Sequence, residues 1–354
     1  MPVSIVVGGQ FGSEGKGKVA LEIVRRDPNV AAVVRVGGTN SGHTAIGRDG
    51  RIHALRQIPA GAVDGNVLVV LPPGSFIDLE VFDREIAELG LTPDRVAVSP
   101  FARVITAEHK AWERAARLNA AIGSTESGTG AAVLAMTARG AMNLPLDSLQ
   151  AEEIGDLAPY MRRGDTTSLL RDILDDGRRV VIEGTQGFGL SLLQGGYWPK
   201  ATSRDTTAAG FLAEAGLSPR DVDDITMVIR CHPIRVAGDS GPLSEETTWE
   251  RIAADGGLPF GYCEHTTVTG KVRRVGHFGP EIVRRAIQTN RPTRIVLNHL
   301  DYVDPIVREL NLTPNTKEFV GMVELKIGRH VDWLGTGPAN IIESRARRAL
   351  ESTG

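Results

Sequence analysis

Gly8-Gly9-Gln10-Phe11-Gly12-Ser13-Glu14-Gly15-Lys16-Gly17-Lys18 is the stretch on which the fold turns. Before it stands Val3-Ser4-Ile5-Val6-Val7, a short apolar run with β-branched residues that predicts a buried strand. After it, Val19 to Arg26 has the spacing of an amphipathic helix, stopped by Asp27-Pro28. Strand, glycine-rich loop and helix N-terminus together make an anion site. Glycines let backbone N–H groups approach phosphate oxygens, and the helix dipole favours negative charge. Lys16 and Lys18 add positive charge. The loop departs from the standard P-loop, because Gln10 stands where the first glycine should be and Gly17 replaces the Mg²⁺-binding hydroxyl. It also fails as a dinucleotide fingerprint: Gly15-Lys16-Gly17-Lys18-Val19-Ala20 has the spacing but starts too far from the strand. An ordinary glycine-rich turn is the plain alternative, and five glycines with two lysines in this setting speak against it.

Working outward, Ala31-Ala32-Val33-Val34-Arg35-Val36 predicts the next strand and runs into Gly37-Gly38-Thr39-Asn40-Ser41-Gly42-His43-Thr44. A polar loop at the carboxyl end of a strand is where open α/β sheets bind ligands. Further strands are predicted over 67–71, 96–98, 104–105, 180–182, 225–229 and 294–297, and helices over 78–89, 110–121, 168–175 and 279–290. Ser148 can cap a short helix ending before Pro159. Ile122 to Gly130 is a third polar loop, whose glycines, serines and threonines can offer N–H and hydroxyl donors to a phosphate. The pattern predicts an α/β fold with a mostly parallel central sheet, helices on both faces and P-loop-like phosphate loops at one edge.

The composition narrows the class of function. The chain has 354 residues, 41% hydrophobic and 23% charged, with a net charge of −3 and a pI of about 6.3. No basic block marks a nucleic-acid surface. Cys231 and Cys263 lie far apart without metal-ligand spacing, so a reduced, cytoplasmic protein is expected. No signal peptide precedes the first strand, and no apolar run is long enough to span a membrane. With no repeat, low-complexity tract or linker, a single domain over 1–354 is expected.

Gly9 to Lys18 resembles GQWGDEGKGK, the phosphate loop of the adenylosuccinate synthetases. Those enzymes phosphorylate the 6-oxygen of a purine nucleotide and displace the phosphate with aspartate, using Mg²⁺. The resemblance implies that Gly12, Ser13, Glu14, Gly15, Lys16, Gly17 and Lys18 bind a nucleoside triphosphate, with Lys16 also catalytic. Gly37 to Thr44 resembles GGHNAGHT. His43 then matches the general acid that polarises the purine 6-oxygen, Gly42 and Ser13 are implied at the metal, and Gly42, His43 and Thr44 at the triphosphate. Asn40 is implied at the acceptor nucleotide. Ile122 to Gly130 resembles IGTTGRGIG, where Thr125 grips the 5′-phosphate. Arg139 matches an arginine that reaches that phosphate from the other subunit of a homodimer. Glu183-Gly184-Thr185-Gln186-Gly187 resembles EGAQG, with Gln186 catalytic and at the acceptor. Thr202, in a segment resembling YPYVTS, is implied as a second phosphate ligand.

Arg235 to Gly238 resembles the start of RVGAGP, near the ribose. Thr266 to Gly276 resembles TTGRRRRTG, a loop that folds over aspartate, which implies Thr269, Gly270 and Arg273 at that substrate. Arginine suits a carboxylate through bidentate pairing. Asn298-His299-Leu300-Asp301 resembles TKLD, so Asp301 would meet the donor base, and Gly335 lies in a segment resembling STGP on the same base. His299 replaces the lysine of that motif, which leaves ATP, GTP and dATP as donors.

One departure falls on the catalytic position: the family's aspartate is Ser13. The same exchange marks the N6-succino-2-amino-2′-deoxyadenylate synthases, the phage-type branch that acts on dGMP. A serine hydroxyl stays protonated near neutral pH and cannot be the same base. Its smaller side chain leaves space for a 2-amino group beside N1. Three functions follow: a ligase joining L-aspartate to dGMP, an adenylosuccinate synthetase acting on IMP with GTP, and a non-catalytic nucleotide-binding regulator.

Overall fold

The computed structural model describes residues 2–140, 144–161, 164–266, 270–309 and 312–344. Thr269, expected on the aspartate loop, lies outside the described residues. The opening apolar run is β1 (Val3–Gly8), fully buried in the middle of a nine-stranded sheet. The other strands are β2 (Val30–Arg35), β3 (Leu68–Leu71), β4 (Val96–Val98), β5 (Arg179–Glu183), β6 (Val222–Arg230), β7 (Arg294–Asn298), β8 (Trp333–Gly335) and β9 (Ile341–Glu343). They lie in the order β9-β8-β7-β6-β1-β5-β2-β3-β4. Every neighbouring pair is parallel except β8 with β9.

The strands read as continuous apolar runs because both faces of the sheet are covered. Ile5 and Val7 face one core with Val34, Ile182, Met227 and Leu297, and Val6 faces the other with Val33, Val181, Val228 and Val296. The first face is closed by the helices Thr166–Asp175, Ala208–Ala215, Pro280–Asn290 and Pro314–Ile327, through Leu170, Phe211, Val283 and Val320. The second is closed by α1 (Lys16–Arg26) and the helix Leu79–Leu89, through Val19 and Phe82. The expected architecture is therefore the observed one.

Local differences have local causes. The helix expected over 110–121 is two, Ala107–Ala115 and Leu118–Ile122, because Arg117 between them takes the left-handed conformation at φ 52°. The first starts early because Thr106 and His109 form a reciprocal capping box. The stretch after Ser148 forms 3-10 turns, Ala151–Glu153 and Gly155–Met161, with Pro159 inside the second.

Parallel pairing places the carboxyl ends of β1, β2, β5, β6, β7 and β8 on one edge. Each feeds a loop there, and those loops carry most of the polar residues singled out from the sequence.

Candidate active site

A cavity of about 470 Å³ opens at this edge, a size that suits small-molecule ligands. Its walls include Gly12, Ser13, Gly15, Lys16, Gly17, Lys18, Asn40, Gly42, His43, Thr44, Thr125, Gln186, Thr202, Arg273 and Asp301. Residues from one end of the chain to the other thus meet in one place. Four expected site residues stand elsewhere. Glu14 is fully buried within the phosphate loop, Gly335 is buried behind it, and Arg139 and Gly270 are exposed.

The phosphate loop is braced from inside. The Glu14 carboxylate accepts N–H bonds from Gln10 at 3.1 Å and Gly12 at 2.8 Å, and pairs with Lys16 Nζ at 2.8 Å. Gln10 exchanges two bonds with the Arg230 backbone, at 2.8 and 3.1 Å, which ties the loop to β6. Asn298 Nδ2 donates to the Glu14 carbonyl at 2.7 Å, which ties it to β7. Gly335 makes room for this: a Cβ there would lie 1.9 Å from Asn298 Oδ1 and 2.7 Å from Lys18 Nζ. Lys18 Nζ donates to the Gly337 carbonyl at 3.0 Å, and burial pulls its pKa to about 8 against the opposing charge of Asp301. Among the described residues no side chain caps the N-terminus of α1, a geometry that suits an anion.

His43 enters the cavity from the strand His43–Ile46. It packs onto α1 because residue 17 is glycine; a Cβ at Gly17 would lie 2.9 Å from the His43 Cβ. Its Nδ1 lies 2.7 Å from Glu183 Oε1, while Glu183 Oε2 accepts the Ala60 N–H at 2.8 Å. Arg35 Nη1 stands 3.7 Å from the same Oε1. All three side chains are buried. Burial pushes His43 down to about 4; Arg35 pushes the same way and Glu183 opposes. Burial pushes the Glu183 carboxyl up, but His43 and Arg35 outweigh it and hold the group below its usual range. The imidazole is neutral at pH 7. With Nδ1 facing a carboxylate, its proton sits on Nδ1 and Nε2 carries the lone pair.

A second charged group joins two loops. Arg230 Nη1 donates to the Ser13 carbonyl at 3.0 Å, and the same guanidinium pairs with Glu264. Glu264 also receives Arg273 Nη1 at 2.7 Å, so the phosphate loop and the loop carrying Arg273 are connected through one carboxylate. Burial raises the Glu264 pKa, but Arg230 above all, with His299 and Arg273, holds it far below the ordinary carboxylate range.

Ser13 at φ 56° and Gln186 at φ 60° are non-glycine residues in the left-handed region, both at the cavity wall. Such conformations cluster at functional sites. Gln186 Nε2 approaches the Asn40 carbonyl at 3.5 Å, and Asn40 Nδ2 approaches Thr202 Oγ1 at 3.4 Å. Thr125 begins a chain of hydroxyls, to Ser127 at 3.2 Å and on to Thr129 at 3.2 Å, over the N-terminus of the helix Thr129–Ala138.

Three of the buried charges that sequence reasoning does not single out are Arg35, Glu183 and Arg230. They share a legible signal: each is a charge closing an apolar strand, and each is almost fully buried. A charge at the carboxyl end of a strand buried on both faces must find a partner at the ligand edge.

The adenylosuccinate synthetase family model matches residues 5–154 and 146–309. The chain is 36% identical over 355 residues to the adenylosuccinate synthetase of Pyrococcus horikoshii, covering 98% of this chain and 99% of that one.

The chain belongs to the adenylosuccinate synthetase family.

The Methanococcus vannielii adenylosuccinate synthetase is 35% identical over 96% of this chain and 97% of its own length. Among solved structures, the succinoaminodeoxyadenylate synthetase of cyanophage S-2L, bound to dGMP and dATP as an energy donor, superposes with a TM-score of 0.81. It is 28% identical and covers 99% of this chain and 97% of that one. The fully ligated adenylosuccinate synthetase of Plasmodium falciparum shares the fold, with a TM-score of 0.82 at 20% identity, over 97% of this chain and 100% of that one. As a family member the chain is a carbon–nitrogen ligase of purine nucleotide biosynthesis, which sets aside the reading as a non-catalytic regulator. No helix among the described residues is long and apolar enough to cross a membrane.

Proposed function

We propose that this adenylosuccinate synthetase-type ligase takes dGMP as its acceptor and joins L-aspartate to C6 through a 6-phosphoryl intermediate. The product would be N6-succino-2-amino-2′-deoxyadenylate. Ser13 carries the reading. It holds the position of the family's carboxylate base at the cavity wall, and a hydroxyl there leaves room for a 2-amino group that a carboxylate would crowd. The phage enzyme bound to dGMP, at 28% identity, supports it. The donor is ATP, dATP or GTP.

The loop Gly12 to Lys18 and the α1 N-terminus would receive the triphosphate, with Lys16 as the charge on the transferred phosphate and Gly42, His43 and Thr44 beside it. Asp301 would meet the donor base, with Gly335 behind it. Asn40, Thr125, Gln186 and Thr202 would hold the acceptor. Arg273, Gly270 and Thr269 would belong to the aspartate loop. Arg139, exposed and away from its own cavity, would complete the site of a partner in a homodimer. The chain would act as one domain over 1–354, located in the cytoplasm.

Mg²⁺ fits the donor set. Ser13 and Gly42 both line the cavity and would offer hard neutral oxygens, a hydroxyl and a carbonyl. Mg²⁺ completes such a shell with substrate phosphates and water. When bound it would neutralise charge on the transferred phosphoryl group.

The identities of 35–36% to archaeal adenylosuccinate synthetases favour a second reading, IMP with GTP. Phosphate release with triphosphate and L-aspartate, measured in parallel with dGMP, GMP and IMP, separates the two. Efficient turnover of IMP with none of dGMP would refute the proposal.

A further inference from the structure

With Ser13, position 13 has no carboxylate to take the proton from N1 of the acceptor. The structure offers another route. Ser41 lines the cavity, and its Oγ lies 3.5 Å from His43 Nε2, 3.2 Å from Arg35 Nη2 and 2.6 Å from Thr185 Oγ1. On the far side of the imidazole, Nδ1 faces Glu183 at 2.7 Å. Hydroxyl, imidazole and carboxylate therefore stand in line, in the order used to move a proton off an oxygen.

Hydrogen-bond inventory orients the hydroxyl. A serine oxygen accepts twice and donates once. Before the acceptor binds, an Arg35 N–H and the Thr185 O–H can fill both acceptor positions of Ser41, which directs its own hydrogen to His43 Nε2; on binding, the acceptor's N1–H takes the place of the Thr185 O–H. Buried Arg35 also favours negative charge on that oxygen. On the other side of the ring, the Glu183 carboxylate at 2.7 Å from Nδ1 favours the positive charge that a proton arriving at Nε2 creates. The 3.5 Å separation is long, as such contacts often are before ligands bind. The sequence reinforces the geometry. The two family motifs quoted above, GGHNAGHT and EGAQG, carry alanine where this chain has Ser41 and Thr185. Two new hydroxyls touching each other accompany the loss of one carboxylate at residue 13.

We propose that Ser41 is a catalytic residue that passes the acceptor's N1 proton to His43, with Thr185 as the positioning residue that orients it. The N1–H bond breaks and its electron pair stays on the purine, delocalised onto O6. Ser41 Oγ takes that proton while its own hydrogen moves to His43 Nε2. The imidazolium formed is stabilised by Glu183. O6 then attacks the γ-phosphorus, and the bond to the bridging oxygen breaks to release the nucleoside diphosphate. His43 is left protonated beside O6, the state its expected role as an acid requires. The proposal rests on Ser13 not serving as the base.

The test begins by finding which of dGMP, GMP and IMP the unaltered enzyme uses, and continues with that acceptor. If it is IMP, the guanylate reading fails while the relay is still tested. Ser41→Ala is expected to lower the single-turnover rate of phosphoryl transfer by about 10²-fold or more. Its Kd for the acceptor should stay within about threefold, which also reports folding. Thr185→Ala is expected to lose about tenfold in the same rate, with Thr185→Ser restoring it. Because two protons move together, the unaltered enzyme should show a solvent deuterium effect with a curved proton inventory, flattened in Ser41→Ala. A Ser41→Ala rate within threefold of the unaltered enzyme from pH 6 to 9, or a linear inventory in the unaltered enzyme, would overturn the relay.

Discussion

Replacing Glu183 with glutamine tests the charge arrangement behind His43 most directly. The carboxylate faces three positive or N–H groups: His43 at 2.7 Å, Arg35 at 3.7 Å and the Ala60 N–H at 2.8 Å. A glutamine amide has one oxygen. If it keeps the Ala60 bond, its NH₂ meets His43 Nδ1 and Arg35, and if it turns, it opposes Ala60. One donor is left unpaired in either case, which costs about 1–3 kcal/mol. Arg35, only 1% exposed, also loses its counter-charge. Breaking a buried pair in this way costs about 3–5 kcal/mol in total. The effect on catalysis follows from Coulomb's law. At an effective dielectric of about 20, opposite charges about 4 Å apart interact by about 4 kcal/mol. Solvation of the cavity reduces this, so a loss of about 3–4 kcal/mol is expected for the His43 imidazolium, or about 10²–10³-fold in rate. The assay is single-turnover phosphoryl transfer at 10 °C, with thermal melting of the same sample and the acceptor Kd as a check on folding. A folded Glu183→Gln enzyme with normal turnover and an unchanged Tm would refute both the buried pairing and its role.

Other measurements check separate parts of the account. Ser13→Asp should penalise guanylate by crowding its 2-amino group, by about 10²-fold or more in kcat/KM relative to IMP, because an unmatched buried polar contact discriminates strongly; unchanged preference would show that Ser13 does not set the acceptor. Arg139→Ala should lose acceptor affinity and recover part of its activity when mixed with an inactive His43→Asn variant, since one hybrid site carries both native residues; no recovery in a mixture shown to exchange subunits would argue against a shared site. Stability should fall with pH between about 6.5 and 4, because His43 and His232 have folded pKa values near 4 while the unfolded chain protonates near 6.5. In that window the unfolded state binds more protons, so each imidazole contributes up to about 3 kcal/mol that is present above pH 6.5 and gone below pH 4; a Tm flat from pH 7 to 5 would contradict their burial as neutral groups. Excess chelator should abolish turnover and Mg²⁺ should restore it; full activity in chelator would remove the metal from the scheme.

Much of the site was legible because phosphate loops are written locally. Glycines, lysines and hydroxyls within a dozen residues suffice to predict an anion site, and alternating apolar runs and amphipathic spacing suffice to predict a parallel sheet. Gly12, Ser13, Gly15 to Lys18, Asn40, Gly42 to Thr44 and Thr125, which the fold brings to one cavity, are singled out that way or by likeness to motifs of the same length. Boundaries and roles depended on contacts the sequence does not print. Glu14 looked like a ligand contact in its motif, but its carboxylate turns inward to brace the loop and pair with Lys16. Gly335 looked like a base contact, but its missing side chain is what lets Asn298 and Lys18 approach.

What the sequence by itself determined is the run of elements, the glycine-rich polar loops and, at Ser13, a departure from the family motif at one position. What only the tertiary structure decided is which distant charges meet. Arg35, Glu183 and His43 come from separate strands, and Arg230, Glu264 and Arg273 from three more places in the chain. Parallel pairing brings such strand ends to one edge, and burial there leaves a charge no solvent to turn to. Each must therefore take a partner, and those partnerships set the proton on His43 and the position of Arg273.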